Sequence, residues 1–258
     1  MYTTLVLNTK TEFLKSKGTA AFWLTVVAAA LIPVVNFIVL IARADHFVPY
    51  MSKNPWGILI DNNWKAATLF LLPMFVILVC SLVIQVEYRN NTWKQVYASP
   101  RSYADIFFSK FFVIHSLVLF CFILFNCFII ITACAANIIK PAYNFFDYAI
   151  PWKTMGLIVI KVYFSVLAIT AIQYWLSLRF RNFIAPMGIG LALLITGLII
   201  HEWEKLYFYP YMYPAIMYWP EYQKHPEIAD KVELYNIIYF VVILGLAFLD
   251  TIRRKERG

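Results

Sequence analysis

The chain has 258 residues, of which 62% are hydrophobic and only 14% are charged. Soluble domains carry about 25% charged residues, so this composition excludes a water-soluble globular protein. The formal net charge is +8, which in a membrane protein indicates loops beside an anionic inner leaflet and requires no nucleic-acid partner.

Six apolar stretches are candidates for membrane spans, because crossing the hydrocarbon core takes about 20 helical residues. They cover residues 20–42, 66–86, 106–136, 155–178, 183–200 and 234–249. Lipid offers no partner for a free backbone N–H, and continuous apolar runs do not suit a barrel, so the spans are predicted helices. We expect an all-α membrane protein with one transmembrane domain over residues 1–258 and no nucleotide-binding domain.

The positions of Lys and Arg predict that both termini are cytoplasmic, because short loops rich in these residues stay inside. The excess of positive charge falls before the first span, between spans two and three, between spans four and five, and after span six. The first apolar run is too long for the core of a signal peptide. We therefore interpret it as a span that is retained.

The N-terminal segment contains Thr9 and Glu12, which have the spacing of a capping box at a helix start. Phe13 and Leu14 follow, and Gly18 provides a stop signal. One interpretation is a short amphipathic elbow helix at the inner membrane interface. The other is an ordinary basic flank of the first span.

Two segments predicted to lie on the outer side of the membrane differ in composition from the apolar spans. Residues 43–65 contain Pro49 and Pro55 and are predicted to be irregular. The segment between spans five and six is rich in aromatic residues and proline, which predicts short re-entrant helices in the outer leaflet. It is either an aromatic belt or an exit vestibule for an amphipathic substrate; its candidate residues are Tyr207, Tyr209, Tyr211, Tyr213, Tyr218 and Trp219.

The inner loop between spans two and three reads EYRNNTWKQVYASPR, residues 87–101. It lacks proline and glycine up to Ala98, and Trp93, Val96 and Tyr97 share one helical face. Pro100 ends this predicted helix, and Ser102 begins the next. The helix either docks in a groove on a soluble partner or lies on lipid, since both environments favour the same pattern.

The stretch EYRNNTWKQVYASPRSYADIFFSKF resembles the corresponding loop of permease subunits of type 2 ATP-binding cassette exporters, with Lys110 at the family's lysine position. TEFLKSKGTAAFWLTVVAAALIP is similar to the elbow helix and first span of that family. The resemblance implies a coupling helix that binds an ATPase, formed by Glu87, Arg89, Thr92, Trp93, Lys94, Val96, Tyr97, Pro100 and Arg101. Asn90 and Asn91 replace a glycine that is frequent in the family.

The chain contains no G-x-x-x-x-G-K-[ST] phosphate loop. The resemblance therefore implies two separate ATPase subunits, which would bind ATP and Mg, and a second permease copy or paralogue. This chain would hold no cofactor and would be no enzyme. The expected location is the bacterial inner (cell) membrane.

The predicted cargo is an amphipathic or hydrophobic substrate, such as a peptide antibiotic of the lantibiotic kind or a drug, so that antibiotic resistance is one expected role. An alternative is export of a lipid-linked or polysaccharide cargo. An alternative of another class is a non-transporting membrane anchor, an immunity protein or a membrane enzyme.

Polar residues within the predicted spans are candidates for a substrate pathway, because such side chains face a bundle interior or a cavity. They are Asn36, Gln85, His115, Asn126, Lys161 and Gln173. Lys161 either reaches the outer surface or lines the pathway, and the amides either join helices or contact substrate. No metal site is predicted, because His201-Glu202 lacks a second histidine at Lys205 and the cysteines form no C-x-x-C.

Overall fold

A computed structural model describes residues 2–51, 53–89, 102–219 and 226–255, and the side chains of residues 6–51, 53–89, 102–219 and 228–253. No strand occurs in these ranges, which confirms the all-α class. The helices are α1 (Tyr2–Ser16), α2 (Ala20–Ala42), α3 (Ala44–Met51), α4 (Pro55–Ala66), α5 (Leu72–Arg89), α6 (Tyr103–Ile139), α7 (Trp152–Ser165), α8 (Leu167–Arg179), α9 (Ile184–Ile199), α10 (Tyr213–Tyr218) and α11 (Pro226–Lys255).

Four helical stretches in the described ranges are long and apolar enough to cross a membrane: Ala20–Ala42, Pro55–Arg89, Tyr103–Ile139 and Ile228–Arg253. Helices α7 and α8 form a fifth candidate that bends by 43° at its break. The fifth predicted span is α9, whose 16 residues extend only about 24 Å at 1.5 Å per residue. Multiple membrane passes are thus supported, while the count of six stays a prediction.

The prediction of an irregular segment at residues 43–65 is wrong, because most of it is helical. Asn54 caps α4 by accepting a hydrogen bond from the Gly57 amide at 3.1 Å, and Pro55 occupies the first helical position, where its missing N–H costs nothing. One face of α4 is buried through Trp56, Leu59, Ile60, Asn63 and Trp64. Proline therefore starts this helix instead of preventing it.

Helices α4 and α5 join into one continuous helix through a π-helical turn at Ala67–Leu71. Pro73 follows this turn by two residues. Proline lacks an N–H and its ring clashes with the carbonyl four residues earlier, so a wider turn before it relieves the clash. The resulting helix has its two ends, near Trp56 and Glu87, at opposite ends of the bundle.

The predicted capping box at the N-terminus is also wrong. Helix α1 begins at Tyr2, so Thr9 and Glu12 lie well inside it. The Glu12 carboxylate contacts lysine side chains instead of a free backbone amide. Gly18 has φ +74°, the left-handed conformation that ends helices, which confirms the predicted stop.

Helix α5 occupies the centre of the fold and contacts α2, α6, α8 and α9. The aromatic segment before α11 forms short helical pieces, Leu206–Phe208, Pro210–Met212 and α10. Tyr211, Tyr213 and Tyr218 are buried within it. These three rings therefore pack inside the protein, whereas Tyr207, Tyr209 and Trp219 are partly exposed. The role of the segment as an aromatic belt or an exit vestibule stays a prediction.

Candidate functional site

A network of four charged side chains, three of them buried, joins three helices at one end of the bundle. Lys110 on α6 places its Nζ atom 2.7 Å from Glu12 Oε2 on α1 and 2.8 Å from Glu87 Oε1 on α5. Lys15 Nζ lies 2.9 Å from Glu12 Oε1 and 3.3 Å from Glu87 Oε1. We call these four residues the charge network. Its two ammonium and two carboxylate groups sum to zero charge.

Burial distinguishes this network from a surface ion pair. The side chains of Lys110, Glu12 and Glu87 are 2%, 7% and 4% exposed, while Lys15 is 42% exposed. Buried ions are tolerated only when oppositely charged partners and hydrogen bonds replace the lost water. The three buried groups satisfy this condition through one another, and Lys15 closes the network towards the outside.

Electrostatics within the network favours the charged forms. Burial by itself would raise the pKa of Glu12, but the Lys110 and Lys15 ammonium groups outweigh it and lower the pKa below the ordinary value of 4.5. Burial would likewise lower the pKa of Lys15, yet Glu12 and Glu87 raise it above 10.5. Both groups therefore remain ionised at neutral pH.

The charge network lies directly beside the segment predicted to form the coupling helix. Glu87 is the third residue from the C-terminal end of α5, and Lys110 lies two turns into α6. Residues 90–101 connect these two helices. The network therefore fixes both helix ends that flank this segment, and it attaches α1 to them.

A second polar site lies near the other end of the α4–α5 helix. It is a cavity of about 490 Å³. The residues that line it include Asn54, Trp56, Asp61, Tyr148, Thr154 and Tyr218. The Trp56 indole donates hydrogen bonds to the carbonyls of Phe145 and Tyr148, at 3.0 and 3.2 Å. We call this space the α4 cavity.

Asp61 is an acidic residue that lines the α4 cavity. Its Oδ2 atom lies 2.6 Å from Lys65 Nζ, and its Oδ1 atom accepts a long hydrogen bond of 3.4 Å from the Tyr218 hydroxyl. Burial, together with the nearby Asp61 charge, raises the pKa of Tyr218, so its hydroxyl stays a donor.

Comparison with protein families identifies a family to which the chain is similar. The model of a family described as ABC-2 family transporter protein matches residues 9–197, which is more than half of the chain. The chain belongs to the ABC-2 transporter family. The matched range contains all four residues of the charge network and the loop that resembles a coupling helix. No curated protein and no solved structure gives a significant match.

Membership makes this ABC-2 permease a multi-pass membrane transport subunit that is not itself catalytic. The ATPase that drives such a permease is a separate subunit, so association with an ATP-binding cassette ATPase and with the membrane follows. The resemblance found in the loop at residues 87–101 is thereby confirmed at the level of the family.

Most of the predicted coupling set lies outside the described residues: Thr92, Trp93, Lys94, Val96, Tyr97, Pro100 and Arg101. Of the other two members, Glu87 is turned into the permease and contacts Lys110 and Lys15. Arg89 is exposed at the last turn of α5. The assignment of this set to ATPase binding stays a prediction.

The six candidates for a substrate pathway lie on five different helices, α2, α5, α6, α7 and α8. His115 is buried, and its Nδ1 atom lies 2.8 Å from the Tyr163 hydroxyl. Gln173 is fully buried beside Gly190. Asn126 bonds to the Phe122 carbonyl within its own helix. Lys161 and Gln85 are half-buried, as is Asn36.

These contacts separate the candidates that join two helices from the candidate that bonds within its own helix. His115 joins α6 to α7, and Gln173 lies at the contact between α8 and α9. The amide nitrogen of Asn126 bonds within its own helix, while its buried Oδ1 atom has no hydrogen-bond partner among the described residues. A shared pathway through all six residues stays a prediction.

Sequence reasoning missed the charge network and Asp61. Lys110 stands within the apolar stretch FFSKFF, and a buried lysine there requires acidic partners, so a signal for the network existed. The spacing of Thr9 and Glu12 predicts helix capping, which conceals the role of Glu12. Asp61 lies in a segment whose prolines predict an irregular structure, which conceals its place on α4.

Proposed function

We propose that this chain is the permease subunit of an ATP-driven exporter in a bacterial inner membrane. It moves an amphipathic or hydrophobic substrate, such as a peptide antibiotic or a drug, by alternating access. Two permease chains and two ATPase subunits form the transporter, and the ATPase subunits bind ATP and Mg. Both termini and residues 87–101 are cytoplasmic in this arrangement.

The charge network is the observation that carries this proposal. A transport subunit without its own ATPase must receive its driving force through contact with the partner. Residues 90–101 connect the two helix ends that Glu87 and Lys110 fix, and α1 is attached to the same ends through Glu12. A displacement of this segment would therefore move α1, α5 and α6 together.

Movement of these helices is sufficient for coupling because α5 is central. It contacts α2, α6, α8 and α9, so a shift at its cytoplasmic end changes the packing of most spans. ATP binding by the partner would stabilise one arrangement of the bundle relative to the other and shift the population between them. The permease contributes mechanical linkage, without a chemical step of its own.

Inside-out membrane vesicles that contain this chain and its ATPase test the proposal. We expect ATP-dependent uptake of a labelled cationic peptide antibiotic or amphipathic dye into these vesicles. An ATPase variant that binds but cannot hydrolyse ATP should abolish the uptake. Uptake that is equal with and without ATP would contradict the mechanism, and uptake of a lipid-linked sugar alone would contradict the proposed cargo.

A matched pair of permease variants tests the linkage. Lys110→Met removes the buried ammonium, whereas Lys17→Met removes an exposed one close to the same helices. We expect Lys110→Met to lose most ATP-dependent uptake and Lys17→Met to retain it. Lys110→Met also endangers folding, because it leaves two carboxylates buried. The triple variant Glu12→Gln, Glu87→Gln, Lys110→Met is therefore measured beside it. Removing a complete set of buried ions is often tolerated.

A further inference from the structure

We propose that the α4 cavity is a binding site for an organic cation with an apolar body. The inference narrows the proposed substrate class to organic cations. It rests on the proposed function in one respect, which is that the cavity lies on the exit side of the membrane. Its volume of about 490 Å³ lies within the range of about 300–1,000 Å³ found for small-molecule sites.

The lining supplies both kinds of contact that such a ligand requires. Tyr148 and Ile158 offer aromatic and aliphatic surface, the buried Trp56 forms the wall behind them, and Asp61 supplies the negative charge. A cation against aromatic faces and a carboxylate gains from both ring quadrupole and ionic attraction. A ligand of negative charge would instead be repelled by the Asp61 carboxylate, whose Oδ1 atom lies on the side away from the Lys65 contact at Oδ2.

The cavity wall is held in place before any ligand binds. Trp56 is buried and donates to two carbonyls of the neighbouring loop, and Asn54 is fixed by capping α4. A Cβ atom on Gly57 would contact the end of the Asn54 side chain, so Asn54 lies tightly against this first turn of α4. A rigid wall reduces the entropy lost on binding.

Asp61 retains capacity for a ligand despite its contact with Lys65. Lys65 lies at Oδ2, and among the described residues Oδ1 accepts only the long contact from Tyr218. A carboxylate has about four lone-pair sites. The Asp61 side chain is 42% exposed. A bound cation would therefore compete with the Lys65 ammonium for the same carboxylate.

This competition gives the proposal a signature that a structural role lacks. Asp61→Asn should weaken binding of a cation, because the negative charge is lost. Lys65→Ala should strengthen binding, because the competing ammonium is lost. If the Asp61–Lys65 pair served only to stabilise α4, both variants would act in the same direction.

The test uses the purified full chain in nanodiscs of phosphatidylcholine, a lipid with no net charge, without ATPase or nucleotide. Binding of radiolabelled tetraphenylphosphonium is measured by equilibrium dialysis and corrected with empty nanodiscs. Tetraphenylborate, which has the same shape and the opposite charge, is the matched ligand. Asp147→Asn, an exposed acid of the neighbouring loop outside the cavity lining, is the matched variant.

We expect the cation to bind, Asp61→Asn to weaken it by about tenfold, Lys65→Ala to strengthen it severalfold, and Asp147→Asn to leave it unchanged. Three results would each overturn the proposed site. Tetraphenylborate could bind as tightly as the cation, Asp61→Asn could change cation binding no more than Asp147→Asn does, or Lys65→Ala could weaken cation binding. Because no ATP is present, failure here leaves ATP-dependent uptake unaffected, and failure of the uptake leaves this binding measurable.

Discussion

Lys110 stands between Phe107, Phe108, Phe111 and Phe112, in surroundings where an isolated ammonium would be strongly destabilising. Its charge is compensated by carboxylates from two other helices, at 2.7 and 2.8 Å. The same contacts that satisfy the lysine also fix α1 and α5 beside α6. At this position, the requirement to neutralise one charge determines how three helices meet.

Replacing Lys110 by Ala should be among the most destabilising single changes in the chain. Glu12 and Glu87 would remain buried, with the half-exposed Lys15 as their only cation in the network. Breaking a buried ion pair by removing one partner costs about 3–5 kcal/mol. We expect a clearly lower thermal unfolding temperature in detergent, measured beside Lys17→Ala as the control. Equal unfolding temperatures for the two variants would contradict the role of the network.

The stabilisation contributed by Glu12 should depend on acid pH. Because the network lowers the pKa of Glu12 below 4.5, its contribution is fully present above the unfolded value and is lost as pH falls through the folded value. The difference in unfolding temperature between the unaltered chain and Glu12→Gln should stay constant from pH 7 to 5 and shrink below about pH 4.5. A difference that shrinks between pH 5 and 7 would disprove this assignment.

At the scale of elements, the break between α7 and α8 is held by a residue from the last helix. The Asn236 side chain accepts a hydrogen bond from the Ala168 amide at 3.0 Å and donates one to the Phe164 carbonyl at 2.7 Å. Asn236 is 1% exposed. A broken helix within lipid leaves backbone groups without partners, and this asparagine supplies partners for one group on each side.

Asn236→Leu should therefore destabilise the bent span, since each unsatisfied backbone group in a membrane costs several kcal/mol. We expect a lower yield of inserted protein and a lower unfolding temperature. Asn126→Leu is the control, because the Asn126 amide nitrogen bonds only within its own helix and bridges no break. If the two substitutions lowered stability equally, the bridging role of Asn236 would be wrong.

The sequence predicted elements better than it predicted the contacts between them. Apolar runs follow from the thickness of the bilayer, so the helices themselves were predictable from composition. The break at Val166 was not, because no proline or glycine marks it, and its partner Asn236 is distant in sequence. Pro55 was misleading for the opposite reason, since proline in the first turn favours a helix. Pro49 was misleading too, because it lies inside α3, near its C-terminal end.

The candidate site was likewise predictable only where its residues are close together in sequence. Family resemblance indicated the loop at residues 87–101, because its motif is local in sequence. Glu12 and Lys110 are 98 residues apart, and the α4 cavity joins Asp61 to Tyr218 across most of the chain. Such pairs depend on how helices pack, which periodicity does not specify.

At the scale of the whole molecule, the proposed function requires that the ATPase acts through residues 87–101. Trp93→Ala and Arg101→Glu should each reduce ATP-dependent transport strongly, because one removes an apolar anchor and the other reverses a charge at the predicted contact. Membrane insertion and unfolding temperature should remain normal. Intact transport in both variants would contradict the coupling role of this segment.

The most direct test of the account is a pull-down of this chain from its native membrane in mild detergent. The unaltered chain is compared with a variant in which residues 91–98 are scrambled and the charge network is left intact. We predict a stoichiometric ATP-binding cassette ATPase with the unaltered chain and its loss with the scrambled variant. Absence of any ATPase, or equal recovery with both chains, under conditions that preserve a known transporter would contradict coupling through this segment.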